Sequence, residues 1–428
     1  MNYPVWQLEF LGGGFLIAVI AIIHVYVAQF AVGGGLFLVL TEHFGHHRND
    51  QGILDYVKKH TKFFLLLTMV FGALTGVGIW STISLLNPSA TSVLIHTFVF
   101  AWGTEWVFFV TEIVSLFIYF YTFDRLSKRN HLIIGWIYFG AAWMSLFVIN
   151  GIIDFMLTPG AWIENHNFWS GFFNPTFWPA LFFRTFLSVM IAGLFGFLTA
   201  SFLKDAKLRT TMLRYSAKWL LVPFILFLAS TWWYRAALPP HVEEIIFQKM
   251  PQLRNAITIF MACSPLLILG GLIMAIKMPS SLSRSMAAVM LVIGLMYFGA
   301  FEFLREGGRR PYIIYDYMYS NSILKTDVTN VAQAGVLQEG KWIENRHVTK
   351  DNYREAGREL FDVLCLSCHS VGGPLNDINQ QVRMSSPEEL ELIFATMGQE
   401  RPYMPPFPGN EMEKELLIDY LNNVMRKE

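Results

Sequence analysis

Eight apolar stretches, each long enough to cross a lipid bilayer as a helix, dominate the chain up to about residue 306. A crossing helix needs roughly 20 residues to cover a hydrocarbon core of about 30 Å. The stretches lie near 12–40, 63–86, 93–121, 132–156, 178–203, 217–236, 256–276 and 286–304, bounded by breakers such as Asn87-Pro88, Thr158-Pro159-Gly160 and Pro239-Pro240. In lipid every backbone amide must be satisfied within its own segment, so the expected form is helical throughout. With 54% hydrophobic and 15% charged residues, the chain has too little polar surface to cover a water-soluble globule of its 428 residues. The mixed-charge sequence, punctuated by Pro and Gly, falls mostly in residues 313–428. The expectation is an all-α chain: a polytopic membrane bundle of eight transmembrane helices over 1–312, a linker over 313–350 and a small α-helical domain over 351–428.

Orientation follows from the basic residues between the stretches. The segments after the first, third, fifth and seventh are rich in Lys and Arg (Lys58, Lys59, Arg125, Arg129, Lys204, Arg214 and Lys277 among them), whereas those after the second and fourth have none. The basic segments are expected on the cytoplasmic side, and an even number of crossings then leaves both termini outside. The N-terminal sequence lacks the basic start and cleavage site of a signal peptide and is expected to lead straight into the first crossing. A formal net charge of zero, with no basic patch, excludes nucleic acid as an expected partner.

Cys365, Cys368 and His369 form the C-x-x-C-H motif in FDVLCLSCHSVGG. Two thiols at this spacing can add across the two vinyl groups of one haem from a single turn, leaving the next residue, His369, below the iron. A zinc site would want a second Cys/His pair nearby and a thioredoxin-like pair a βαβ context, and neither is present. One covalent haem c is therefore expected, attached on the outer face of a bacterial membrane, which agrees with the charge count. Met404, in the Pro-stiffened YMPPFPG, is the favoured sixth ligand and Met397 its competitor. Helical flanks on both sides of the motif resemble a small mono-haem cytochrome c. The third cysteine, Cys263, reads as a buried inert thiol.

Ionisable residues inside apolar stretches are costly and are functional candidates for that reason. They are His24, Glu105, Glu112, Asp154, Arg184, and Glu302 with Arg305 and Glu306; His96 opens the third stretch. His24 and Glu105 are expected at one depth, where a His and a Glu could ligate the iron of one or two buried haems. Glu112, seven residues beyond Glu105, shares its helix face and lies deeper, which suggests a proton route toward the buried site. Packing roles stay open for each. His43, His46 and His47 are expected in a solvated cytoplasmic loop.

His24 with Glu42 eighteen residues on, HTKFF (60–64), GALTGVGI (72–79), Glu112 twelve residues before Asp124-Arg125-Leu126, Asn150-Gly151 and GRRPY (308–312) resemble the subunit I family of cytochrome bd oxidases over roughly residues 10–315. With its haem domain the chain resembles the cytochrome c-bearing branch of that superfamily rather than the quinol-oxidising one. The resemblance implies haem b and/or haem d in the membrane domain, a bacterial inner-membrane location and a second membrane subunit. It gives His24 the role of axial ligand, Glu112 that of proton-path carboxylate, Glu105 a related role with a one-residue slip, and Arg305 and Arg309 the role of cations that pair with haem propionates. Departures accompany the matches. Arg184 stands where the family's low-spin haem has its His, and Phe260 where its Met would be, with Met261 one step away; Glu302, expected to replace the family's glutamate as a ligand to buried haem iron, lies about one turn after that glutamate's place, which falls on Gly299. The quinol loop is reduced to roughly 236–254.

The expected function is passage of electrons from a periplasmic cytochrome c or other donor through haem c to the buried haems, as a cytochrome c-linked bd-type oxidase reducing oxygen to water. The alternative is a non-oxidase electron-transfer or anchor subunit of a larger respiratory complex. A transporter carrying a redox sensor is disfavoured by the lack of a discontinuous-helix repeat.

Overall fold

The computed structural model describes residues 5–277 and 279–425, so the outermost residues of the two expected domains, 1–4 and 426–428, lie outside the described residues. Eight long helices carry the apolar stretches: α1 (Gly13–Arg48), α2 (Gln51–Leu86), α3 (Val99–Tyr121), α4 (Lys128–Phe155), α5 (Phe177–Ser201), α6 (Ala206–Ala236), α7 (Pro251–Met274) and α8 (Ser280–Gly308). Several extend past their apolar runs because a polar cap lies beyond the run. Asp50, Ser127 and Asp205 accept from the backbone N–H three residues on and start α2, α4 and α6. Lys58, Lys59 and Lys62 therefore sit on α2 rather than in a loop, and His43, His46 and His47 belong to the end of α1. His46 is not solvated as expected; its Nε2 lies 3.4 Å from the buried Glu42. His96 falls in a separate short helix, Pro88–Thr97, capped by Asn87.

α5 is the central helix, packed against α1, α4, α6 and α8. Small residues let it approach its neighbours closely. A Cβ on Gly33 of α1 would stand 1.9 Å from the Ser188 carbonyl oxygen of α5, and one on Gly193 would stand 2.9 Å from the Ser216 carbonyl oxygen of α6. Between Leu66 and Gly72, α2 widens into a π-helical turn, a distortion often found beside functional sites.

The start of α1, the end of α8 and the C-terminal residues share one end of the bundle. Val371 N–H donates to the Glu9 carbonyl at 2.7 Å, and Arg358 pairs with the Glu9 carboxylate. A short antiparallel hairpin, Tyr312–Ile314 with Met318–Tyr319, follows α8. The segment expected as a linker is shared between two hydrophobic clusters: Ile314 and Met318 join that of the bundle, while Val331, Val336, Leu337 and Ile343 join a smaller C-terminal one. In the latter, α9 (Tyr353–Leu364) crosses α12 (Glu411–Tyr420), with α10 (Ile378–Met384) and α11 (Pro387–Thr396) between them in sequence. A Cβ on Gly357 would lie 2.9 Å from that of Tyr420, so glycine sets the close crossing of α9 on the C-terminal helix. The buried Glu413 accepts from Val336 N–H (2.9 Å) and Leu337 N–H (2.7 Å), which ties the preceding segment to α12.

Candidate functional site

One cavity of about 560 Å³ begins beside Glu112 and Glu105 on α3, passes His24 on α1 and the arginines at the end of α8, and reaches Leu366 and Ser367 inside the C-x-x-C-H motif. The π-turn of α2 lines it through Thr68, Met69 and Gly72. His24 Nδ1 lies 3.1 Å from Thr75 Oγ1, whose own hydrogen goes to the Phe71 or Gly72 carbonyl. Thr75 must therefore accept from His24, so Nδ1 carries the proton and Nε2 keeps its lone pair. A side chain at position 76 would press on the imidazole, since a Cβ there would stand 3.1 Å from Cε1. Ser145 donates to Glu105 at 3.0 Å, and Glu112 is buried further along the same wall.

At the other end Glu302 is held by two arginines: Arg184 Nη1 reaches Oε1 at 3.2 Å and Arg305 Nε reaches Oε2 at 2.9 Å. Arg184 Nη2 lies 3.7 Å from the fully buried Asp154, too long for a hydrogen bond. With both oxygens engaged in ion pairs, Glu302 is set up as a counter-ion rather than as the iron ligand expected of it. Arg309 pairs with Glu306 and donates to Met156 Sδ at 3.1 Å. Arg305 Nη1 and Arg309 Nε are buried without a hydrogen-bond partner among the described residues. A neutral imidazole nitrogen at His24, an apolar wall and orphaned guanidinium groups together fit a haem that His24 would hold through its iron and Arg305 and Arg309 through its propionates. The low-spin site is different. Arg184 is ion-paired, and Phe260 stacks on Tyr297 with centroids 4.3 Å apart and planes 10° off parallel. Phe260 itself offers no ligand to iron.

Cys365, Cys368 and His369 follow α9. Residues 365–369 continue as one turn, with His369 N–H donating to the Cys365 carbonyl at 2.9 Å. His369 Nδ1 donates to the Asn376 carbonyl at 2.8 Å, so Nε2 is the available ligand atom. Burial, and then the charge of Arg310, push the His369 pKa down despite that hydrogen bond, which keeps the ring neutral. Burial raises the Cys365 thiol to about 12. Arg310 Nη1 lies 2.7 Å from Cys368 Sγ, so the segment after α8 touches the motif. Met404 is not on the large cavity. It lines a second one of about 440 Å³ together with Met397. Neither of these two cavities is lined by Cys365, Cys368 or His369, so the structure does not bring Met404 and the motif onto one cavity.

Sequence reasoning missed a buried cluster at the opposite end of the bundle. Glu42 Oε1 lies 2.8 Å from His131 Nδ1, and Tyr119 donates to Oε2 at 2.6 Å. His131 Nε2 faces the Tyr119 carbonyl at 2.8 Å and must donate there. The Glu42–His131 contact therefore shares one proton, whichever partner holds it. Glu42 was in view as part of a motif, but His131 falls just outside its apolar run, and nothing in its neighbours pairs it with a residue 89 positions away.

Residues 15–238, just over half of the chain, match the family model for cytochrome bd terminal oxidase subunit I. No curated protein matches the chain in sequence. Among solved structures, that of bd oxidase from Geobacillus thermodenitrificans is similar in fold, with a TM-score of 0.61 at 16% identity, covering 70% of this chain and 87% of that one. The family binds haems b and d in its membrane domain. This chain, a multi-pass membrane protein, belongs to the cytochrome bd terminal oxidase subunit I family.

Proposed function

We propose that this chain is a cytochrome c-linked bd-type oxidase, taking electrons from a periplasmic donor and reducing oxygen to water. The observation that carries the reading is the single cavity joining Glu112, His24 and the C-x-x-C-H loop. In this reading Cys365, Cys368, His369 and Met404 would hold a haem c, and His24 would hold a haem b or d. When bound, these haems supply electron transfer and a coordination site for oxygen. The protein's part is to hold, orient and deliver. Thr75 fixes the tautomer of His24, and Arg305 and Arg309 offer their free N–H groups to propionates. Glu112 and Glu105 pass protons inward from the end of the bundle that carries Lys58 and Asp124, taken as cytoplasmic on the loop charges. The short α6–α7 connection, a helix at Pro240–Glu244 and one π-turn, leaves little room for a quinol site. A second membrane subunit is expected as in the rest of the family.

A second reading, an electron-transfer or anchor subunit without oxygen chemistry, is favoured by the Asp154–Arg184–Glu302–Arg305 cluster, which stands where a second haem's ligands would be. Haem extraction and a carbon monoxide difference spectrum on the purified membrane protein separate the two. The oxidase reading expects covalent haem c, at least one extractable haem that binds carbon monoxide, and oxygen uptake driven by reduced cytochrome c. In His24→Ala that uptake falls by about 10²-fold or more, the scale of losing a group that holds the reacting centre. Buried haem that does not bind carbon monoxide, or uptake unchanged by His24→Ala, would leave the second reading. Haem c alone sinks both.

A further inference from the structure

The buried cluster of Glu42, Tyr119 and His131 lies at the end of the bundle where basic residues gather, and the proton route proposed above leaves it without a role. Among the described residues, the polar groups within ion-pair or hydrogen-bond distance of Glu42 are Tyr119 from α3, His131 from α4 and His46 one turn on in α1. α2 meets this part of α1 with Ile53 and Leu54, which close on Gly45, and α6 meets it with Tyr215, whose ring stacks on Phe44 at 5.2 Å. A carboxyl group buried in such surroundings has to be paired or protonated. The His131 ring that pairs with it is itself fixed, because Tyr119 stacks on it with centroids 4.1 Å apart.

The hydrogen bonds assign a part to each member. His131 donates Nε2–H to the Tyr119 carbonyl, a backbone acceptor that cannot pass a proton on, so the ring holds Glu42 without leading anywhere. The other two neighbours of Glu42 do lead somewhere. His46 is partly exposed and its Nε2 lies 3.4 Å from Oε1, so it joins the buried carboxyl to water. Tyr119 belongs to the buried face of α3 that also carries Ser115 and Glu112, spaced four and three residues apart. Seven residues, about 10 Å of helix axis, separate Tyr119 from Glu112. Ser115 lies between them and gives its hydrogen to the Thr111 carbonyl at 2.6 Å, which leaves its oxygen free to accept. Lys58 and Asp124, by contrast, pair with each other at the surface.

We propose that His46, Glu42 and Tyr119 form the entry of the proton route to Glu112, with His131 as the positioning residue that holds Glu42. The inference rests on the proton route of the reading above. At rest one proton is shared between Glu42 Oε1 and His131 Nδ1. A second, taken from water by His46 and handed to Glu42, leaves the pair with two. The carboxyl then gives one to the Tyr119 oxygen, and Tyr119 releases its own hydroxyl hydrogen toward Ser115. Glu42 and His131 return to one shared proton, and one proton has moved inward with no net change of charge at the site.

The test is proton uptake in a single turnover, followed with a pH-indicator dye as the reduced, haem-loaded, full-length protein in lipid nanodiscs is mixed with oxygen. Glu42→Gln keeps the shape of the side chain and Tyr119→Phe keeps the ring. Each is expected to slow uptake by about 10²-fold, the lower end for loss of a positioned proton-transfer group. His46→Gln is expected to flatten the pH profile of uptake, which a packing role would not do. Haem content and carbon monoxide binding are expected at wild-type values in all three. Wild-type uptake in both Glu42→Gln and Tyr119→Phe overturns the proposal. So does slow uptake that follows a matching loss of haem in both, since the cluster would then be structural. Uptake untouched by Glu112→Gln refutes the route itself, and a wild-type protein that takes up no protons with oxygen refutes the oxidase reading; neither result needs a variant of the cluster.

Discussion

Among the described residues, two of the arginine–carboxylate clusters have similar make-up and opposite settings. In the bundle, Arg184 sits between Asp154 and Glu302 with side chains 3%, 0% and 10% exposed. At the C-terminal unit, Arg358 sits between Glu9 and Asp362 with 57%, 42% and 13% exposed. The same groups do different work. A buried cluster is held by the cost of leaving any member alone, whereas an exposed one competes with water and salt for each contact. The first fixes where charge lies along the cavity, and the second trims the docking of two regions that other contacts already hold.

The largest effect is expected where the difference is sharpest. Arg184→Leu leaves Asp154 and half of Glu302 uncompensated, and removal of one partner from a buried pair costs about 3–5 kcal/mol. Arg184→Leu with Asp154→Asn should recover more than half of that, because the orphaned charge is gone. Thermal unfolding of the detergent-solubilised protein reads both. A loss under about 1 kcal/mol for the single variant would mean that water reaches the cluster and that the contrast with Arg358 is one of degree.

What could be read in advance follows the same division. Eight helices were legible because span length is a local property of the chain, and their excess length was not, because it depends on caps such as Asp50 and Asp205 lying beyond the apolar runs. Cys365, Cys368 and His369 could be picked out as a candidate haem c motif because one turn holds all three. Arg184 and Glu302 stood out as intramembrane charges, yet their pairing joins residues 118 apart in sequence. Only the fold brings them together, and in doing so it changes the reading of Glu302 from iron ligand to counter-ion.

A middle case sharpens the comparison. Asp362 lies on α9 next to Arg358, with Glu9 and Glu359 facing it, and partial burial outweighs the arginine to raise its carboxyl from the usual value to about 6. The folded unit thus holds this proton more tightly than the unfolded chain. The group costs nothing below about pH 4, its cost grows as pH rises toward 6, and it is constant above. A shift of that size would be worth about 3 kcal/mol if fully buried, and partial exposure reduces it to about 1 kcal/mol. Asp362→Asn should therefore stabilise the C-terminal unit by about 1 kcal/mol at pH 7 and leave it unchanged at pH 4. Hydrogen exchange of the α9 amides is the measurement. Equal protection at pH 7 in both proteins would show that Arg358 compensates the carboxylate fully.

The smallest effect is expected at Glu9. Its carboxylate meets Arg358 in the open, where such pairs contribute about 0–1 kcal/mol and fade as the screening length shrinks to about 3 Å in molar salt. The contact between the two regions does not rest on that pair. The Glu9 carbonyl accepts from Val371 N–H, and Gly373 approaches so closely that a Cβ there would stand 1.6 Å from the Phe10 carbonyl oxygen. Both contacts are made by backbone and survive Glu9→Gln. That variant should lower the protection of the Val371 amide by no more than about fivefold at low salt, and by nothing measurable in molar salt. A larger, salt-resistant loss would mean that the ion pair orders the segment before the backbone bond forms, and the exposed cluster would then belong with the buried one.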